Sequence, residues 1–177
     1  MNNNGVLEHH GSDYKQDYFT DLIKRKSLEF LDSQSSDKPF LMVLATPAPH
    51  APFTPAPQHQ TEFKNVSAPR LPNFNYVEND NELKHWLVRQ QPRPLNTTLV
   101  EKVDEIFRNR LRTLLSVDEM VDAVMMKLSD KMLLENTLAI YTSDHGYHLG
   151  KIRFIMELNS KLFELLNNFR QLWITAG

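Results

Sequence analysis

The sequence predicts an α/β fold: a central, largely parallel sheet flanked by helices. Three observations carry this. Two short apolar runs, residues 39–46 (PFLMVLAT) and 137–142 (TLAIYT), lack polar alternation, as strands buried on both faces do. Helical periodicity precedes the first run and fills the chain ahead of the second. The order helix, strand, loop, helices, strand makes a right-handed crossover between parallel strands the expected connection.

The first helix is expected over about residues 12–31. Phe19, Leu22, Ile23 and Phe30 fall on one face, Ser12 or Asp13 can cap its start, and the polar stretch 33–37 ends it. After the first strand come Pro47, Pro49, Pro52, Pro55, Pro57, Pro69 and Pro72. Proline offers no backbone donor, so residues 47–81 read as a long loop, and Phe53, Phe63, Phe74 and Tyr76 favour its being ordered. Residues 98–134 return to helical spacing. Ser116 and Glu119 have capping-box spacing, which predicts two consecutive helices. Arg108, Arg110 and Arg112 read as a solvated helix flank, and Met120, Met125 and Met126 as core or interface. Residues 11–150 form one organised unit. Residues 151–177 form a tail in which 152–158 and 162–166 fit helix or strand equally.

The bulk properties exclude several function classes. The chain has 177 residues, 41% hydrophobic and 24% charged, enough for one domain with a core. A formal net charge of −2 gives no basic surface for nucleic acid. There is no Cys, hence no disulfide and no thiolate metal site. No stretch of 18 apolar residues could cross a membrane. Residues 1–5 lack the positive-then-apolar pattern of a signal peptide. Asn65-Val66-Ser67 and Asn96-Thr97-Thr98 are glycosylation sequons.

Polar clusters sit just past both strands: residues 46–53 (TPAPHAPF) and 143–148 (SDHGYH). Ligands of open α/β sheets bind beyond the carboxyl ends of strands, so parallel strands would bring both clusters to one edge. Asp144 can be a hard-cation ligand or the residue that starts a turn before Gly146. His145 and His148 can bind a metal, donate to an anion, or fill the sheet edge. His50, held between prolines, can act on a ligand or pack the loop. His9 and His10 fit an exposed terminus better than a metal site. His59 and His85 have no partner visible in the sequence, and Trp86 beside Arg89 suits packing.

These clusters also carry a family resemblance. Residues 44–53 (LATPAPHAPF) resemble the Pro-x-Pro-His-x-Pro segment of sulfatases, and residues 141–150 (YTSDHGYHLG) resemble their second metal-binding segment. Residues 17–21, 84–90 and 112–119 are similar to the same family. The resemblance implies an alkaline-phosphatase-like fold, a calcium ion and a cysteine-derived formylglycine nucleophile. It implies hydrolysis of sulfate esters on glycosaminoglycans in a lysosomal or secretory setting. Within the motifs, Asp144 corresponds to a calcium ligand and His145 to the adjacent ligand position. His50 corresponds to a sulfate-contacting donor, and His148 to a residue near the substrate. The family's Cys-x-Pro-Ser-Arg segment and upstream paired aspartates are absent, so the isolated chain is expected to be inactive. The alternatives are a phosphatase or phosphodiesterase of the same superfamily, and a non-catalytic module binding sulfated glycans.

Overall fold

The computed structural model describes residues 1–35, 38–77, 94–143, 147 and 149, and the backbone of 170–176. The chain opens with a small hairpin of β1 (Asn2–Asn3) and β2 (Val6–Leu7), turned at Asn4-Gly5. Both turn residues have positive φ, which Asn and Gly tolerate best. Helix α1 (Tyr14–Asp17) is capped by Asp13, whose side chain accepts from the Lys15 amide. Helix α2 (Phe19–Ser33) follows after one extended residue, Tyr18. The expected single helix is therefore broken at Tyr18. Its buried face is Thr20, Leu22, Ser27 and Leu31, whereas Phe19 and Phe30 are exposed, contrary to expectation.

Strand β3 (Phe40–Thr46) leads into the long loop, which contains a short 3-10 turn at Pro57–His59. Helix α3 (Thr97–Asp130) is one continuous helix of 34 residues, not two. The capping box is not used. Ser116 is fully buried in mid-helix, and Glu119 reaches out to His59 (2.9 Å) and Lys24 (3.9 Å) instead. Asn96 caps the start of α3, its amide oxygen accepting from the Leu99 N–H at 2.9 Å.

Strand β4 (Thr137–Ser143) and β5 (Arg170–Ala176) complete a three-stranded sheet of order β3-β5-β4. The expected parallel pairing is not seen among the described strands: β5 lies between β3 and β4 and pairs antiparallel with both. Two antiparallel steps leave β3 and β4 pointing the same way, so their carboxyl ends do share one edge. Thr46 and Ser143 both stand opposite Arg170, about 10 Å apart for two strand spacings.

The strands are not buried on both faces, as their apolar runs had suggested. Met42, Leu44 and Thr46 of β3 are buried, while Leu41 and Val43 face solvent, and β4 is exposed over most of its length. Helices α2 and α3 cover one face only. Leu31, Met42, Leu44, Val117, Met120, Val124 and Leu128 form that core. At its lower end Lys131 donates to the Leu31, Asp32 and Gln34 carbonyls, closing the C-terminus of α2 as cations do. A second, smaller core of Ala68, Leu95, Val103 and Leu149 joins the long loop to the first half of α3.

Candidate functional site

The site begins where β3 ends. Thr46 is buried, and its hydroxyl donates to the Ala48 carbonyl. The Ala48-Pro49 and Ala51-Pro52 bonds are cis, and the loop turns tightly around His50. The His50 N–H donates to the Pro47 carbonyl at 2.7 Å, and the Phe53 N–H donates to the His50 carbonyl at 3.1 Å. His50 Nδ1 lies 2.6 Å from the Ala51 carbonyl. A carbonyl can only accept, so Nδ1 carries the hydrogen.

Beside His50 lies a small open cleft of about 120 Å³, walled by Tyr18, Phe19, Pro47, Ala51, Pro52 and Thr54. Pockets for drug-sized ligands run to roughly 300–1,000 Å³, so this cleft is too small for a whole saccharide. Helix α1 and the start of α2 hold its wall: Tyr14 Oη donates to the Pro55 carbonyl at 2.6 Å and Tyr18 Oη to the Thr54 carbonyl at 3.3 Å.

The second cluster meets the first through Tyr147. Its ring packs edge-to-face on Phe53, centroids 6.3 Å apart. The Arg110 guanidinium lies 3.8 Å above the Tyr147 ring and 5.8 Å from the Phe53 ring. Burial pushes the Tyr147 phenol up to about 12, the Arg110 charge pulling the other way. The Tyr147 hydroxyl finds no hydrogen-bond partner among the described residues. Asp144, His145 and His148 lie outside the described residues, as do His85, Trp86 and Arg89. Among the described residues, no three His, Asp or Glu side chains converge as a metal site requires.

The arginines of α3 correct the expectation of a solvated flank. Arg108 donates to the Val66 carbonyl (3.1 Å), Arg112 to Glu62 (2.7 Å) and Arg110 to Pro49 (3.1 Å). Residues two apart on a helix point about 200° apart, so Arg110 faces away from Arg108 and Arg112. The long loop is thus clipped to α3 at three carbonyls, on two sides. Arg70 and Asp104 add a two-pronged pair at 2.7 and 2.8 Å, and Asp104 also accepts from the Ala68 N–H. No sequence signal marked these arginines, because carbonyls from distant residues are invisible to spacing rules.

Two further histidines meet carboxylates: His59 lies 2.9 Å from Glu119, and His10 lies 3.3 Å from Asp17 and 3.7 Å from Glu8. Of the methionines, Met120 is core, Met125 packs against it and Met126 is exposed. Asn65 is exposed in a turn, and Asn96 is exposed at the cap of α3.

Comparison with known proteins identifies the family. The sulfatase family model matches residues 1–172. The chain is 47% identical over 148 residues to N-acetylglucosamine-6-sulfatase from goat and from human, covering 84% of this chain and 26% of each relative. It is 39% identical over 158 residues to the extracellular sulfatase SULF-1 homolog of Drosophila melanogaster, covering 88% of this chain and 14% of that one. The chain therefore spans about a quarter or less of the length of these curated relatives. No solved structure matches it. A family model running over residues 1–172, almost the whole length, places the chain in the sulfatase family.

Proposed function

We propose that this chain is a segment of a sulfuric ester hydrolase acting on 6-sulfated N-acetylglucosamine in glycosaminoglycans such as heparan or keratan sulfate. The observation that carries the reading is the His50 loop. It sits at the shared carboxyl edge of β3 and β4, in a chain 47% identical to N-acetylglucosamine-6-sulfatase. His50, with its Nδ1–H fixed on the Ala51 carbonyl, presents Nε2 to the transferring sulfate. There it donates a hydrogen bond or a proton as charge develops. Asp144 would hold a calcium ion through a carboxylate oxygen, His145 takes the adjacent ligand position of the motif, and His148 is a candidate substrate contact. Imidazole suits a hard cation less well than carboxylate, so Asp144 contributes the greater part of that affinity. Calcium, when bound, supplies positive charge for the sulfate oxygens.

No Cys is present, so the formylglycine nucleophile is not in this chain. Lysosomal or secreted location follows from the same reading, with Asn65 and Asn96 as glycan acceptors.

The test has two parts. Purified chain is expected to release no sulfate from 6-sulfated N-acetylglucosamine, while calcium raises its melting temperature and Asp144→Ala removes that rise. Release of sulfate by the chain, abolished in the Asp144→Ala variant, would overturn the expectation of inactivity. Sequencing the transcript across both ends then separates the superfamily branches. An upstream Cys-x-Pro-Ser-Arg supports the sulfatase, and Ser or Thr at the nucleophile position points to a phosphatase or phosphodiesterase.

A further inference from the structure

We propose that Arg110 is the positioning residue of this site: it fixes the His50 loop and Tyr147 relative to one another. The proposal rests on the reading of His50 as the sulfate-facing group.

Arg110 is 8% exposed, which for a guanidinium demands compensation. The compensation comes from both clusters at once. One nitrogen donates to the Pro49 carbonyl, the residue immediately before His50. The guanidinium carbon lies over the Tyr147 ring, 3.8 Å from its centre, and Tyr147 stands three residues after Asp144 in the sequence. Phe53, three residues past His50, closes the contact through its edge-to-face packing on Tyr147. The turn around His50 leaves little slack, since its N–H and carbonyl are both taken by neighbours in the loop. A shift of Pro49 therefore carries the His50 ring with it.

The role needs arginine chemistry. A planar guanidinium can donate in its plane while stacking on a ring with its face. A lysine ammonium is a compact point charge and offers no such plane. Arg108 and Arg112 hold the loop by single carbonyls at Val66 and Glu62, far along the chain from His50. Arg112 is thus the natural control, a clip to the same loop with no bond to the His50 turn.

The test is an NMR comparison of the chain with Arg110→Lys, Arg110→Gln and Arg112→Gln. In the unsubstituted chain, nuclear Overhauser contacts are expected between the Arg110 side chain and the Tyr147 ring. Their absence overturns the proposal, even if both Arg110 variants fail to fold. In folded Arg110→Lys or Arg110→Gln, the His50 ring signals should move. Affinity for inorganic sulfate should fall about tenfold, the order that one cation–π contact and one charged hydrogen bond supply. Arg112→Gln should leave both unchanged. His50 signals that stay in place in a folded Arg110 variant overturn the proposal. If the signals move but no form of the chain binds sulfate, positioning by Arg110 stands and the sulfate-facing reading of His50 falls.

Discussion

Tyr147 shows how burial at the site couples to pH. Its phenol is pushed up to about 12 because the charged form would lose solvent beneath Arg110 and Phe53. In the unfolded chain it titrates near 10. Below pH 10 both states keep the proton, and the contribution to stability is fully present. Between about 10 and 12 the unfolded chain ionises first, so stability drains away as pH rises. Tyr14 and Tyr18, also raised by burial, act in the same direction. The melting temperature should therefore fall steeply above pH 10, and Tyr147→Phe should flatten part of that fall. At neutral pH the same substitution should cost little, because the hydroxyl has no partner among the described residues. A Tyr147→Phe melting profile that tracks the unsubstituted chain from pH 9 to 12 would show that this phenol is not the group responsible.

Between elements, the joint that matters is the long loop on α3. Proline content made the loop legible, and the aromatic residues made its order legible. What could not be read was the means of attachment. Spacing rules see the apolar stripe of α3, and Val103, Val117, Met120, Val124 and Leu128 are indeed buried. They cannot see that Asp104 and three arginines are reserved for loop backbone. For the same reason the Ser116–Glu119 spacing suggested a helix start: its local chemistry is right, but tertiary packing took both side chains elsewhere. Asp104 is the most heavily used of these residues, accepting from Arg70 and from the Ala68 N–H with its side chain only 13% exposed. Asp104→Ala leaves a half-buried amide unpaired and should cost about 1–3 kcal/mol in urea denaturation. It should also open the 62–77 stretch to limited proteolysis. Lys127→Ala breaks an ion pair with Asp32, which is 62% exposed, and should stay within about 1 kcal/mol. Equal costs for the two substitutions would remove the loop joint as a distinct source of stability.

At the scale of the whole molecule, helices among the described residues cover the sheet on one side only. The opposite face carries Leu41, Val43, Leu138 and Ile140, which are 56%, 41%, 61% and 46% exposed. The register sets Leu41 and Leu138 both opposite Thr175, and Val43 and Ile140 both opposite Trp173, so the four share one face. The unalternated apolar runs predict burial on both faces, and among the described residues β3 is covered on one face only while β4 is exposed over most of its length. β3 and β4 are the outer strands of the described sheet. A contiguous apolar surface favours association between copies. Sedimentation should show the weight-average mass rising with concentration above that of a single chain. A charge on the exposed face, Val43→Lys or Leu138→Lys, should bring the mass back toward the monomer. The melting temperature should hold, because neither side chain contributes to the buried core. A chain that remains monomeric at high concentration, or a Leu138→Lys variant that associates as before, would place the driving surface elsewhere.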